Sequence, residues 1–135
     1  MRLQRLATLC FTATFLFPAA AHAACTPADL TGSWQAYAMS VTGGGDAYWS
    51  RCKLSINSSG AIANTICVSP LGNAPLTQGR ASLENAAACT FASQFRIAGT
   101  LNKVVHGTIS KDKEAGQGVG TFPNGGLFMF NMTKL

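Results

Sequence analysis

Charged side chains are scarce in this sequence of 135 residues, where they make up 11% of the chain against about 25% in an ordinary soluble domain. Apolar residues make up 47%, so the chain does not have the composition of a disordered segment. Beyond residue 23 it also lacks an apolar run near the ~20 residues that a membrane-spanning helix needs. The composition predicts one folded domain with its own core and no stable membrane insertion.

The first 23 residues have the features of an export signal. Two arginines give a positive start, an apolar run of twelve residues covers Leu6–Phe17, and Ala-His-Ala at 21–23 is a small-x-small cleavage pattern. Twelve residues are too few for a transmembrane helix, which disfavours a membrane anchor. We therefore expect a signal peptide at 1–23, a single β-barrel domain at 24–135, and a periplasmic or secreted location.

Four cysteines remain after cleavage, namely Cys25, Cys52, Cys67 and Cys89. An even number in a small exported domain indicates two disulfides, and the absence of a Cys-x-x-Cys motif disfavours zinc. If residues 59–60 form a two-residue hairpin loop, positions whose numbers sum to 119 face each other, as 52 and 67 do. We predict Cys52–Cys67 and Cys25–Cys89, although a one-residue bulge would either relieve the crowded geometry of the first pair or undo it.

Hydrophobic periodicity along the mature chain is that of strands. Between Tyr48 and Ile56 the even positions are mostly apolar and the odd ones polar, which is typical of a half-buried strand. A cap at Thr26-Pro27 predicts one helical turn before the first strand. The remaining strands are expected near 33–41, 61–68, 80–84, 89–98, 104–110, 117–122 and 127–134, with a loop at 69–79 and a turn at 102–103.

Eight short strands favour an all-β fold, a small antiparallel eight-stranded meander barrel with one short N-terminal helical turn. A small sandwich is the alternative, and barrel closure is preferred because it leaves no exposed strand edges. Short strands and the charges of Arg51, Lys53 and Arg96 disfavour an outer-membrane barrel.

A short turn followed by Leu30-Thr31-Gly32-Ser33-Trp34 resembles the start of calycin chains, the lipocalin-like and avidin-like barrels. The resemblance implies a binding barrel in which the tryptophan of Gly-x-Trp closes one end. The same opening, with a strand bearing Cys52-x-Leu54-x-Ile56 and a later cysteine, is also similar to periplasmic inhibitors of secreted metalloproteases.

Residues suited to catalysis, cofactors or metals are few. His106 is the one histidine left after cleavage, and the five acidic residues fall mostly in predicted turns, which favours a protein that is not an enzyme and has no cofactor. Met39, Met129 and Met132 are soft ligand types, but Met129 and Met132 differ by three and point to opposite strand faces, so no metal site is expected. The basic residues are scattered, which disfavours nucleic acid as a partner.

Aromatic residues supply the candidate binding positions. Trp34, Phe91, Phe95, Phe128 and Phe130 either fill the barrel or line an apolar pocket. Small residues at inward positions, such as Ala36, Ala38, Gly118 and Gly120, would leave space for a ligand.

Trp49 and Arg51 share the outward face of their strand, and both are residue types that dominate protein–protein hot spots. The sequence therefore predicts an exported, disulfide-stabilised, non-enzymatic binding protein. An apolar small molecule inside the barrel is its leading ligand. The alternatives are a protein partner, as for a protease inhibitor, or a structural envelope protein with no ligand.

Overall fold

The computed structural model describes residues 23–135, so the predicted export signal lies outside the described residues except for its last residue. One helical turn, α1, spans Pro27–Leu30, and nine strands follow it in the described part of the chain. The strands are β1 Gly32–Val41, β2 Ala47–Ile56, β3 Ala61–Ile62, β4 Thr65–Ser69, β5 Gly72–Asn85, β6 Thr90–Ile97, β7 Thr100–Ile109, β8 Ala115–Thr121 and β9 Leu127–Lys134.

The strands form one closed antiparallel barrel. Apart from β3 and β4, the strands pair with their neighbours in the chain, and β1 pairs with both β2 and β9, which closes the sheet on itself. The short strands β3 and β4 both lie between β2 and β5, so together they occupy one position of eight. The predicted all-β, eight-stranded meander barrel with an N-terminal helical turn is confirmed.

The two disulfides join Cys25 to Cys89 and Cys52 to Cys67, as predicted. The hairpin loop from which the Cys52–Cys67 pair was predicted is nevertheless longer than the expected two residues. Its three residues 58–60 include Gly60 at a φ of 81°, a left-handed conformation that glycine adopts without strain. The register changes by one position between the Ile56–Ile62 pair and the Cys52–Cys67 pair, because residues 63 and 64 lie outside the strands. This irregularity shifts the register so that Cys52 and Cys67 lie opposite each other.

Two predicted connections are wrong. The expected loop at 69–79 is mostly the first half of β5, since Ser69 and Gly72 pair directly and leave only two residues to turn the chain. The expected turn at 102–103 lies inside β7, and the chain instead turns at Ala98-Gly99, where both φ angles are positive. Two positive φ angles are what a two-residue hairpin turn matched to the strand twist requires.

Candidate functional site

The barrel contains a cavity of about 690 Å³. Its lining includes residues from four connections at one end of the barrel, which are Thr42, Leu71, Ala98, Pro123 and Asn124. No described residue of the opposite connections, at 57–60, 86–89 and 110–114, lines it. The cavity therefore opens at the first end, where the side chain of Leu71 is 78% exposed, and is closed at the other.

Trp34 closes the opposite end of the barrel. Its indole is 0% exposed, Nε1 donates a hydrogen bond to the backbone oxygen of Leu30 at 2.8 Å, and Lys134 Nζ lies 5.2 Å from the ring centroid. This position agrees with the role that the calycin resemblance implies. Trp34 is not among the residues that line the cavity, so it lies beneath the candidate site, and its contact with a ligand stays a prediction.

The helical turn α1 is fastened at this closed end by a capping interaction. The backbone N–H of Thr26 donates to the Asp29 carboxylate at 2.7 Å, and the Thr26 hydroxyl donates to the same oxygen at 3.1 Å. The backbone hydrogen bond is the main cause that lowers the pKa of Asp29 below its ordinary value. The backbone oxygen of Leu30, which accepts the hydrogen bond from the Trp34 indole, therefore belongs to a turn that this capping interaction holds in place.

Four phenylalanines predicted as ligand-binding residues, Phe91, Phe95, Phe128 and Phe130, all line the cavity. Ring centroids are 6.2 Å apart for Phe91 and Phe130, 6.1 Å for Phe95 and Phe128, and 6.4 Å for Phe128 and Phe130. Phe122 extends the group, with its centroid 5.3 Å from that of Phe128. These distances lie within the range of favourable aromatic contacts, so the rings form one continuous aromatic wall.

Inward glycines accommodate this wall and do not enlarge the cavity. A Cβ atom on any of three glycines would collide with the ring of the residue paired with it across the strands. The three pairs are Gly107 with Phe91, Gly118 with Phe130, and Gly120 with Phe128. The expectation that Gly118 and Gly120 leave space for a ligand is therefore wrong.

Small side chains on β1, β2 and β5 provide the space instead. Ala36 and Ala38 point inward from β1 and line the cavity, together with Ser50 on β2 and Ala81 on β5. Ala36 and Ala38 are only half-buried although they face the interior, because the cavity lies against them. The barrel thus has an aromatic wall and a small-residue wall with open space between them.

The described lining of the cavity contains no Asp, Glu, Lys, Arg or His side chain. Its polar groups are neutral, chiefly hydroxyl groups and the amides of Asn73, Asn102 and Asn124. Asn102 is 1% exposed, and its Nδ2 donates to the backbone oxygen of Thr100 at 2.9 Å, while its Oδ1 has no hydrogen-bond partner. Sequence reasoning missed this residue because asparagine next to lysine is typical of a turn. The alternation of Thr100, Asn102 and Val104 after Ala98-Gly99 was the available signal.

The outward residues Trp49 and Arg51 lie beside an apolar strip on the outer surface. Met39 pairs with Trp49 on one side and Met129 on the other, and their exposures are 54%, 46% and 64%. Tyr37, opposite Arg51, is also 54% exposed. We define the outer strip as Tyr37, Met39, Trp49 and Met129, with Arg51 at its margin.

In the part of the chain that the structure describes, no cluster of side chains is suited to metal binding. Among residues 23–135, no group of three or more His, Cys, Asp or Glu side chains could hold a metal ion. His106 is exposed on β7. Met129 is 64% exposed and Met132 only 4%, so these two lie on opposite sides of the barrel wall, as expected from their spacing.

No family model matches the chain, and a search of curated proteins finds no match either. Within the described residues, none of the helical structure is long and apolar enough to cross a membrane.

Proposed function

We propose that this protein is an exported, calycin-like binding protein that holds a neutral, predominantly apolar small molecule inside its barrel. The observation that carries the proposal is a cavity of about 690 Å³ whose described lining bears no charged side chain. Ligand sites in proteins commonly measure about 300–1,000 Å³ and are lined mainly by apolar and aromatic groups. Both the size and the lining support a small-molecule ligand.

The chemistry of the lining favours binding without catalysis. Transfer of a charged ligand into an apolar cavity costs free energy unless an opposite charge compensates for it, and the lining supplies none. Tyr48 is the one ordinary titratable side chain among the described lining residues, since the cysteines there form a disulfide. General acid–base catalysis needs titratable groups placed at the substrate, so the site supports recognition of a neutral molecule.

Two disulfides support a location outside the cytoplasm, because disulfides form and persist in oxidising compartments. Together with the predicted export signal, they support a periplasmic or secreted protein. A carrier of apolar molecules would there shield its ligand from water.

Titration with N-phenyl-1-naphthylamine, a neutral apolar dye whose emission rises in apolar surroundings, tests the proposal. The wild-type protein should bind it, and Ala38→Phe should abolish binding, since a ring at this inward position would occupy cavity space beside Phe130, the residue with which Ala38 pairs. Met39→Phe is the matched control, because it adds a similar ring to the next residue on the outer surface. Equal loss in both variants, or no binding by folded wild-type protein, would rule out the cavity as the site.

The outer strip favours a second candidate function, recognition of a protein. Its exposed tryptophan and methionines lie beside Arg51 and Lys53, so a matching partner would present apolar side chains flanked by acidic ones. The metalloprotease-inhibitor resemblance makes a secreted metalloprotease the partner to test. Inhibition of such a protease by the wild-type protein that Trp49→Ala weakens by more than about fivefold would support this candidate. No inhibition by the wild-type protein would exclude that partner.

A further inference from the structure

Asn102 is a buried amide with part of its hydrogen-bonding capacity unused. It lies on β7 among the residues that line the cavity and is 1% exposed. Its Oδ1 is the one buried side-chain nitrogen or oxygen atom without a hydrogen-bond partner in the described part of the chain. Buried polar atoms almost always have partners, so the exception calls for a partner from outside the chain.

The orientation of the amide is fixed by its neighbour on the strand. The backbone oxygen of Thr100 can only accept a hydrogen bond, so the Asn102 group that faces it at 2.9 Å must be the Nδ2 donor. The other end of the same planar amide is then Oδ1, which can only accept. The missing partner is therefore a donor.

Three side chains next to Asn102 offer no free donor. Phe95, which pairs with Asn102 across the strands, and Val104, two positions along β7, have no polar side-chain atoms. The hydroxyl group of Ser93, on the next strand, already donates to the backbone oxygen of Arg80 at 3.0 Å. Because Asn102 is among the residues that line the cavity, a molecule held there, either a ligand or water, is a source of the donor.

We propose that the ligand carries a neutral hydrogen-bond donor, a hydroxyl or an amide N–H, which binds Oδ1 of Asn102. This inference rests on the proposed function and narrows the ligand class to uncharged amphiphiles, with an apolar body against the aromatic wall and one donor group at Asn102. An ether, an ester or a hydrocarbon of the same shape fills the cavity but leaves the amide oxygen unpaired, and that oxygen then opposes its binding.

Competition between two isomers tests the inference. Undecanol and decyl methyl ether share one molecular formula and the same chain-like shape, but only the alcohol can donate a hydrogen bond. Each is titrated against the complex of the full mature protein with N-phenyl-1-naphthylamine, and the two inhibition constants are compared. The wild-type protein should bind the alcohol about tenfold more tightly than the ether, as expected when a buried acceptor gains its partner.

Asn102→Leu removes the acceptor at nearly constant volume and should bring the two affinities within about twofold of each other. Ser93→Ala is the matched control, since it removes a polar group from the same cavity whose hydrogen bond is already made within the protein. This variant should keep the preference for the alcohol. The wild-type ratio alone is decisive if Asn102→Leu does not fold.

Equal binding of the alcohol and the ether by the wild-type protein would overturn the inference and leave the proposed function standing, with a water molecule as the partner of Oδ1. If neither isomer displaces the dye and the dye itself does not bind, the proposed function fails as well. A preference for the alcohol that survives in Asn102→Leu would assign the acceptor to another residue.

Discussion

Trp34 allows the closed end of the barrel to be tested separately from the cavity. Its side chain is fully buried but does not line the cavity, so its removal should lower stability without directly removing a ligand contact. An indole buries about 200 Å², which at about 25 cal/mol per Å² corresponds to roughly 5 kcal/mol. Measured losses for large aromatic residues replaced by alanine run at about 3–5 kcal/mol. We therefore expect Trp34→Ala to lower the free energy of unfolding by an amount within that range.

Trp34→Phe separates the packing contribution from the hydrogen bond. The smaller ring keeps much of the apolar contact but leaves the Leu30 oxygen, now 2.8 Å from Nε1, without its donor. A buried acceptor without a partner costs about 1–3 kcal/mol, so this variant should fall between wild type and Trp34→Ala. Its affinity for N-phenyl-1-naphthylamine should equal that of the wild type.

Urea denaturation followed by circular dichroism measures these differences, with Trp49→Ala as the control. Because Trp49 is 46% exposed, its replacement should cost less than about 1 kcal/mol, as substitutions at exposed positions usually do. Equal losses of unfolding free energy for Trp34→Ala and Trp49→Ala would refute the assignment of Trp34 as the residue that closes this end of the barrel. Loss of dye affinity in a stable Trp34→Phe variant would instead restore Trp34 as a ligand contact.

Further predictions concern the disulfides, the helical turn and metals. Replacing Cys25 and Cys89 by alanine should destabilise the fold more than replacing Cys52 and Cys67, because the first pair is separated by 64 residues and the second by 15. The chain-entropy relation gives losses of about 4 and about 3 kcal/mol. Thermal unfolding measures both losses, and the opposite order would contradict this prediction. The lowered pKa of Asp29 means that its carboxylate contributes stability above the unfolded-state pKa, and this contribution is lost as the pH falls through the folded-state value. Asp29→Asn should therefore be less stable than wild type at neutral pH, and the gap should close in acid; a gap independent of pH would contradict the capping role. Purified mature protein should retain neither zinc nor Cu(I) through dialysis against a mild chelator, which elemental analysis can check, and stoichiometric metal would show that the soft ligands were misjudged.

Side-chain direction was predictable from the sequence where the strands are regular. In β9 the alternation of the last residues predicted that Phe128, Phe130 and Met132 share one face, and they are 5%, 9% and 4% exposed. Strand parity is a local property, so it needs no knowledge of the neighbouring strands. The same reasoning placed Trp49 and Arg51 outside.

The first half of β5 was not predictable in the same way. Pro75, Gly79 and two short polar stretches there are typical of a loop, and a register shift between Thr77 and Arg80 breaks the alternation. Pairing with β4 and β6 forms the strand despite this composition. Long-range pairing therefore overrides local preference at this point.

Whether the barrel is hollow depends on where each aromatic ring lies relative to its neighbours across the strands. Gly118 and Gly120 indicate space when taken alone, but the register places Phe130 and Phe128 over them. Ala38 pairs with the same Phe130 across β1 and β9, yet it is only half-buried and lies against the open cavity. The sequence does not contain this distinction explicitly, because the side toward which the Phe130 ring packs is set by its surroundings in three dimensions.

Methyl NMR of the protein with undecanol tests the central claim, that an apolar ligand binds inside the barrel, most directly. The methyl groups of Ala38 and Ala81 line the cavity, whereas those of Met39 and Met129 lie on the outer surface. Intermolecular nuclear Overhauser effects from the alkyl chain should reach Ala38 and Ala81 and leave the two methionines unaffected. Contacts to Met39 and Met129 alone, or saturating undecanol with no contact to Ala38 and Ala81, would contradict the claim.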